Sequence, residues 1–440
     1  MVMKQFEFQT YLEKLMVVIM LVTALLMAFF KPAVSIGMGA LVFLSLVRFF
    51  AFNKNEVWEN LKKIDPPLIF LYVFFLLWLV LSVFWGNDVD EAFKRFQRFS
   101  GLLMIPLIIG INADLIQNHW RQIIKAAVIS CSVAAMPTFW FFIFPEQVPI
   151  GDGYSFLFKE LEAPRDYFKF GAYSPFLDRL YFGYLCGFCL LGMLYMWMRD
   201  KKPGSFHWSL LLLIPLLIIL GARGAQLAFS LAVVAGVLYF LSGKRKAFNS
   251  SEKKAVSKYV LLASSMLAAA MLLVLVVQSP RYAQIHWEWS EVKQNPTDHE
   301  AMAEHTVILR LISWRHNLKL IKERPLTGFG IGDYVRTMEI SYEKEGIELP
   351  VHTNQQFLFF GVVGGLPGFI SFFLFFLLSA WYAWKRMKAK PARIGVVAIW
   401  IYMLVVMLFD SPLNYHMPAF LFLSVWMGVL FGGDGDWLEN

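Results

Sequence analysis

The sequence predicts an all-α, polytopic membrane protein with about twelve transmembrane helices. Of its 440 residues, 58% are hydrophobic and 16% are charged, whereas soluble domains spend about 25% of their residues on charge. The apolar residues fall in runs of roughly 20, the length that a helix needs to span a hydrocarbon core about 30 Å thick. Helices are favoured over a barrel because every backbone polar group in lipid needs a partner and no short alternating pattern is present.

The apolar runs define the predicted spans. They lie at 14–31, 33–52, 67–85, 99–112, 122–144, 177–198, 208–221, 225–242, 258–278, 356–380, 394–409 and 414–432. The chain then divides into three parts. Residues 1–278 hold nine helices and a loop at 145–176, residues 279–355 form one large loop, and residues 356–440 hold three more helices. The first run lacks a small-residue cleavage site, so it is predicted to stay as a helix rather than to be a signal peptide.

Basic clusters predict the orientation of the chain, since short loops rich in Lys and Arg stay cytoplasmic. Four clusters fall on one side of the predicted topology, at 54–63, 199–202, 244–254 and 385–393. Both termini are then cytoplasmic, and the two long loops face the opposite side. The formal charge of +8 therefore reflects topology and does not indicate a nucleic-acid partner. The cysteines Cys131, Cys186 and Cys189 lie within apolar runs and are interpreted as packing residues.

The large loop is predicted to contain an amphipathic helix at 304–323, which could lie at the membrane interface. Its apolar positions at helical spacing are Val307, Leu311, Trp314, Leu318 and Ile321. The following segment, RPLTGFGIGDY, carries Pro325 and three alternating glycines. It is predicted to end the helix and form a tight turn.

Ionisable residues at membrane depth mark candidate sites, because burying them in lipid is costly. Arg223 lies in GARGAQ between two predicted spans, where the glycines allow close approach to the backbone. It is interpreted as binding a partner or, alternatively, as a snorkelling anchor. Arg310 lies on the amphipathic helix and could equally belong to a solvated face.

His352 and Asp410 complete this set. His352 precedes the span at 356–380, next to polar Thr353 and Asn354, where partial burial would keep it neutral and basic. Its alternative is a structural histidine. Asp410 could orient a base or an arginine at the end of the span 394–409, or it could merely cap that helix. The predicted topology places Arg223, Arg310, His352 and Asp410 on one non-cytoplasmic face.

The connection 86–98 carries three basic residues on the side that should be poor in them, Lys94, Arg95 and Arg98. Neighbouring Asp88, Asp90 and Glu91 could simply screen them. Alternatively, the three bind phosphate, either of a substrate or of membrane lipid.

Two arginines and a neutral histidine suit group transfer from a lipid pyrophosphate. Arginine stabilises a departing phosphate, and the histidine takes a proton from an attacking hydroxyl. The sequence shows neither an acidic pair nor a His/Cys cluster for a metal, and it has neither a Walker loop nor a Rossmann fingerprint. The reaction is therefore predicted to need no metal, nucleotide or other cofactor.

At this point the sequence resembles the O-antigen ligase and polymerase superfamily of bacterial inner-membrane glycosyltransferases. Three features carry the resemblance: GARGAQLA at 221–228, Arg310-x-x-x-Trp314 followed by PLTGFGIGDY at 325–334, and His352 before a glycine-bearing span. One departure is that Thr353 follows the histidine where relatives usually have Asn or Ser. Another is that the glycines after it fall at 361, 364, 365 and 368.

The resemblance implies a GT-C-like membrane fold with a periplasmic active site. The donor would be a glycan on undecaprenyl pyrophosphate, and the acceptor a sugar hydroxyl of lipid A-core that attacks with inversion. His352 would be the general base, and Arg223 and Arg310 would bind the pyrophosphate. Asp410, Asn354 and the basic residues Lys94, Arg95 and Arg98 would contribute to substrate binding.

Chain length and the single large loop before the histidine favour a ligase, as does the lack of a C-terminal soluble domain. Alternatives within the superfamily are the polymerase, which joins repeat units, and the enzyme that glycosylates protein side chains. A transporter would also have many spans, but it should show two related halves with broken helices at the midplane. No such halves are seen in the sequence.

Overall fold

A computed structural model describes residues 2–53, 65–148, 172, 174–200, 209–242, 306–347, 351 and 355–431. Its first seven α-helices are α1 (Val2–Leu26), α2 (Lys31–Arg48), α3 (Pro66–Leu81), α4 (Val89–Arg98), α5 (Ser100–Ile111), α6 (Ala113–Ile143) and α7 (Arg179–Asp200). The next seven are α8 (Ser209–Ile219), α9 (Arg223–Ser242), α10 (Thr306–Glu323), α11 (Tyr334–Glu343), α12 (Gln356–Arg386), α13 (Lys390–Phe409) and α14 (His416–Phe431). These ranges contain helices and turns and no strand.

The predicted fold class is confirmed: the chain is an all-α, polytopic membrane protein. Six helices in the described ranges are long and apolar enough to cross a bilayer, namely α1, α2, α6, α7, α12 and α13. Shorter apolar helices α3, α8, α9 and α14 accompany them. The predicted span 258–278 lies outside the described residues.

Several helices extend beyond the predicted spans, because hydropathy detects the apolar part of a helix and not its polar ends. α1 begins at Val2 and α6 at Ala113, well before the predicted starts at 14 and 122. The connection 86–98 was predicted to be a simple loop, and most of it is instead the amphipathic helix α4. The Asp88 side chain caps α4 by accepting the Glu91 N–H (2.8 Å).

The helix α12 is interrupted near its middle. Gly365 adopts a positive φ of 64° that L side chains rarely take. The Leu366 N–H turns away from the helix and donates to the Pro325 carbonyl (2.7 Å). Pro367 has no N–H to give to Val363. The break therefore leaves carbonyls of α12 without their helical donors.

The predicted glycine turn after α10 supplies the missing donors. The Phe329 N–H donates to the Val362 carbonyl (2.8 Å), and the Gly330 N–H donates to the Val363 carbonyl (3.0 Å). Gly328 has a φ of +68°, and a Cβ there would lie 2.5 Å from the Val362 oxygen. The motif is thus a glycine turn whose backbone docks directly on the broken helix.

The end of the bundle where α1 begins and α2 ends holds a buried ionic cluster. Arg48 is 1% exposed and pairs with Asp114 (2.6 Å) and Glu13 (3.0 Å). Both of these pairs use Nη2 of the guanidinium. The other terminal nitrogen, Nη1, donates to Asp114, to the Asn112 side chain and to the Ile111 carbonyl. The cluster therefore joins α1, α2 and the start of α6. The three cysteines are buried, as predicted for packing residues.

Candidate functional site

The site lies at the end of the bundle where α12 begins and α13 ends, called here the site end. The Gln356 side chain donates to the Asn414 side chain (3.2 Å) and accepts the Leu413 N–H (2.9 Å). These bonds join the first turn of α12 to the 3₁₀ turn Pro412–Asn414. The residues that follow α13 are therefore held beside the first turn of α12.

Asp410 is the residue after α13, as the cap interpretation expected. Its carboxylate accepts the Tyr184 hydroxyl from α7 (2.5 Å) and the Ser411 N–H (2.8 Å). Burial raises the pKa of the Asp410 carboxyl above its usual 3.8, while both hydrogen bonds and the charge of Arg310 oppose the rise. Asp410 thus does more than end a helix, since it ties α7 to α13.

Arg310 lies on α10 (Thr306–Glu323), which confirms a helix in the predicted range 304–323. One turn further on, the Trp314 ring lies 6.1 Å from the Phe409 ring, which seats this part of α10 on the end of α13. The positive charge of Arg310 acts on both Asp410 and Tyr184. The guanidinium therefore belongs to the electrostatic surroundings of the Asp410 carboxylate.

The predicted apolar face of α10 was partly wrong. Leu311 and Leu318 are 40% and 49% exposed, whereas His316 and Asn317 are buried. The reason is that α11 packs on polar residues: His316 bonds to Ser341 (2.7 Å), and Asn317 accepts the Tyr334 hydroxyl (3.2 Å). Hydrogen bonding, which periodicity cannot detect, selects the buried face.

Arg223 begins α9 and is exposed. Gly221 has a φ of +63°, and the Gln226 side chain donates to the last carbonyls of α8, those of Leu217 (2.8 Å) and Ile218 (2.9 Å). A Cβ at Gly224 would lie 3.9 Å from the Phe409 Cβ. The GARGAQ motif is thus a tight helix junction that places Arg223 beside the end of α13.

Phe409 is the shared neighbour of these elements. Trp314 of α10 and Gly224 of α9 both approach it, and Asp410 follows it directly. The structure therefore brings Arg223, Arg310 and Asp410 to one end of the bundle. They come from three helices that are far apart in sequence.

His352 and Asn354 lie outside the described residues. Gln355 directly precedes α12. Its side chain accepts the Leu358 N–H and so caps the helix. In the sequence, His352 lies three positions before Gln355. Its role as a base stays a prediction.

The basic residues Lys94, Arg95 and Arg98 lie on α4. Arg95 is largely buried, pairs with Glu91 (2.8 Å) and acts electrostatically on Tyr334. Lys94 and Arg98 are exposed. The structure thus separates one partnered arginine from two outward-facing basic residues, and the phosphate contact predicted for them stays a prediction.

Sequence reasoning missed two polar residues that organise this region. Tyr184 is one of several tyrosines in an apolar span, and nothing in the sequence links it to Asp410. Asp333 directly follows the predicted glycine turn, a position typical of a carboxylate that binds backbone N–H groups. Its side chain is buried and accepts the Asn87 N–H and amide (both 2.7 Å) and the Asp88 N–H (3.2 Å).

The side chains gathered at the site end are suited to binding an anion. Two guanidiniums from α9 and α10 bind phosphate oxygens well, and a carboxylate can orient them. Within the described ranges, no group of three or more His, Cys, Asp or Glu residues is placed to hold a metal.

Comparison with known proteins finds one family that matches part of the chain. A family model described as O-antigen ligase matches residues 208–373, a range that includes Arg223, Arg310 and His352 but neither α4 nor Asp410. A search of curated proteins finds no match to this chain. The match and the apolar helices agree with the motifs seen in the sequence. The match over residues 208–373 supports membership of the O-antigen ligase and polymerase superfamily, whose members are glycosyltransferase-like enzymes.

Proposed function

We propose that this protein is an O-antigen ligase of a bacterial inner membrane. It transfers a polysaccharide from undecaprenyl pyrophosphate to a sugar hydroxyl of lipid A-core, at the periplasmic face and without a metal. The observation that supports this most is the gathering of Arg223, Arg310 and Asp410 around Phe409, at the end where the segment containing His352 joins α12.

In the proposed reaction, His352 takes the proton of the acceptor hydroxyl. The acceptor oxygen forms a bond to the anomeric carbon of the donor as the bond from that carbon to the pyrophosphate oxygen breaks, so the configuration inverts. The electron pair leaves on the lipid pyrophosphate. Arg223 and Arg310 stabilise that developing negative charge, which is the contribution expected of preorganised cationic donors.

Asp410 and Asn354 support this step. Asp410 orients Arg310, and its own position is fixed by Tyr184 and the Ser411 N–H. Asn354 would bind a sugar hydroxyl beside the base. Lys94, Arg95 and Arg98 remain proposed phosphate contacts at the same membrane surface.

The test of the base is His352→Ala in the producing bacterium. We expect attachment of O-polysaccharide to lipid A-core to be lost while the protein stays in the membrane, as checked by gel analysis of lipopolysaccharide and by immunoblotting. The matched control is His119→Ala in α6, near the opposite end of the bundle, which should leave attachment intact. Normal smooth lipopolysaccharide in His352→Ala would contradict the assignment.

A deletion strain separates ligase from polymerase. A ligase defect leaves long chains accumulated on the lipid carrier, because polymerisation continues without transfer. A polymerase defect instead leaves single repeat units on the core. The second result would exclude the ligase and favour the polymerase.

A further inference from the structure

The amphipathic helix α4 connects α3 to α5, both strongly apolar helices. Because these two helices correspond to the predicted spans 67–85 and 99–112, α4 is expected at the surface of the membrane. Only Phe99 separates the last residue of α4 from the first of α5. A ten-residue helix in this position has little freedom to leave the interface.

The helix is held in one rotational setting. Asp333 accepts three hydrogen bonds from Asn87 and Asp88, immediately before α4. A Cβ at Gly332 would lie 3.0 Å from Ala92, so the first turn of α4 packs directly on the glycine turn. The face that α4 turns outward is therefore fixed by the body of the protein.

That outward face has two adjoining halves. Val89 and Phe93, four residues apart, are 42% and 53% exposed. On the neighbouring side of the helix, exposed Asp90 is followed by exposed Lys94 and Arg98, each again four residues on. Positive charge thus collects at the end of α4 that leads into α5, next to an exposed aromatic ring.

We propose that α4 is a docking surface for anionic phospholipid. Phe93 and Val89 lie among the acyl chains, and Lys94 and Arg98 contact headgroup phosphates, as expected for an interfacial helix with apolar and basic halves. Arg95 is less exposed than Lys94 and Arg98, and it pairs with Glu91 one turn earlier on the same helix (2.8 Å).

The phosphate chemistry could also come from the lipid-linked donor. The charge pattern favours phospholipid, because Phe93 is exposed beside the basic residues and the docked helix faces outward. The donor is the competing occupant that the experiment must exclude.

The first experiment uses purified protein in lipid nanodiscs. Native mass spectrometry would measure the retention of phosphatidylglycerol against phosphatidylcholine by the wild type and by Lys94→Gln/Arg98→Gln. We expect the variant to retain phosphatidylglycerol about tenfold less well, with phosphatidylcholine unchanged. The control Arg336→Gln/Lys344→Gln removes the same charge from exposed positions on and next to α11 and should retain both lipids normally.

The second experiment measures depth. A spin label on Phe93→Cys should be more accessible to oxygen than to a water-soluble nickel complex, and a label on Arg336→Cys should show the reverse. The native cysteines are buried and make a poor target for the label. Unchanged phosphatidylglycerol retention in Lys94→Gln/Arg98→Gln overturns the proposal, as does a water-exposed label at position 93. Loss of donor binding with normal phospholipid retention would also overturn it and assign the two residues to the donor.

Discussion

Two arginine-containing regions at opposite ends of the bundle differ in how their guanidiniums are used. Arg48 is buried, pairs with Asp114 and Glu13, and donates to the Asn112 side chain. At the site end, Arg223 is exposed and Arg310 is half-buried, and the nearby Asp410 carboxylate is hydrogen-bonded by a neutral tyrosine and a backbone N–H. In the first arrangement a buried cation holds two carboxylates, while in the second a buried carboxylate is held by neutral donors.

The comparison refines a rule used for the sequence. An ionisable residue at membrane depth marks a candidate site, yet Arg48 satisfies that rule and its contacts are those of a structural cluster. Arg48 differs from a site residue because it is buried and already holds two carboxylates. A guanidinium that holds two carboxylates has no reason to take a ligand.

The largest expected effect on stability comes from breaking the cluster of Arg48, Glu13 and Asp114. Arg48→Ala leaves Glu13 and Asp114 without their cation and should cost about 3–5 kcal/mol. We expect loss of folded protein from the membrane, measured by fluorescence-detected size exclusion. Arg310→Ala should leave the amount of folded protein near that of the wild type.

A control for this prediction removes all three charges together. The combination Arg48→Met, Glu13→Gln and Asp114→Asn should recover part of the lost protein, because no unpaired charge remains. Equal abundance of Arg48→Ala and the wild type would contradict the structural role given to this cluster.

A smaller effect is expected at His316, a buried residue whose contacts lie between the two extremes. Its ring faces Ser341 and Tyr342 of α11 and Glu345 of the turn that follows, with Lys319 and Arg315 on its own helix. Burial lowers the pKa of His316 below its usual 6.5, although Glu345 opposes the shift. The folded state therefore binds a proton less readily than the unfolded chain does.

The direction in which stability changes with pH follows from this difference. Stability from the buried neutral ring is present above pH 6.5 and is lost as the pH falls from 6.5 toward the lower folded pKa. Thermal unfolding should therefore show lower stability at pH 5 than at pH 7 in the wild type. The same series with His316→Gln should be flatter, and an equal slope in both proteins would assign the pH dependence to other groups.

The sequence was sufficient for features that depend on local pattern. The apolar runs predicted most helices, and the spacing of α10 and the alternating glycines after it predicted a helix followed by a turn. Single residues such as Arg223 and Asp410 could be picked out because charge is rare among apolar runs. These inferences need only neighbours along the chain.

Features that depend on distant contacts could not be predicted. The break in α12 is stabilised by Phe329 and Gly330 and by Trp78, whose ring N–H donates to the Gly364 carbonyl (2.7 Å). Tyr184 meets Asp410 across 226 positions. The buried polar face of α10 likewise depends on α11. None of these partners has a signature in the sequence, because each is selected by three-dimensional proximity.

The most direct test of the account is whether the arginines at the site end bind lipid pyrophosphate. Wild type, Arg223→Ala, Arg310→Ala and the control Arg336→Ala would be compared for binding of undecaprenyl pyrophosphate in nanodiscs by native mass spectrometry. The account predicts that each site variant binds at least about tenfold more weakly, because a charge-assisted phosphate contact is lost, and that the control binds normally. Unchanged binding in both Arg223→Ala and Arg310→Ala would contradict it.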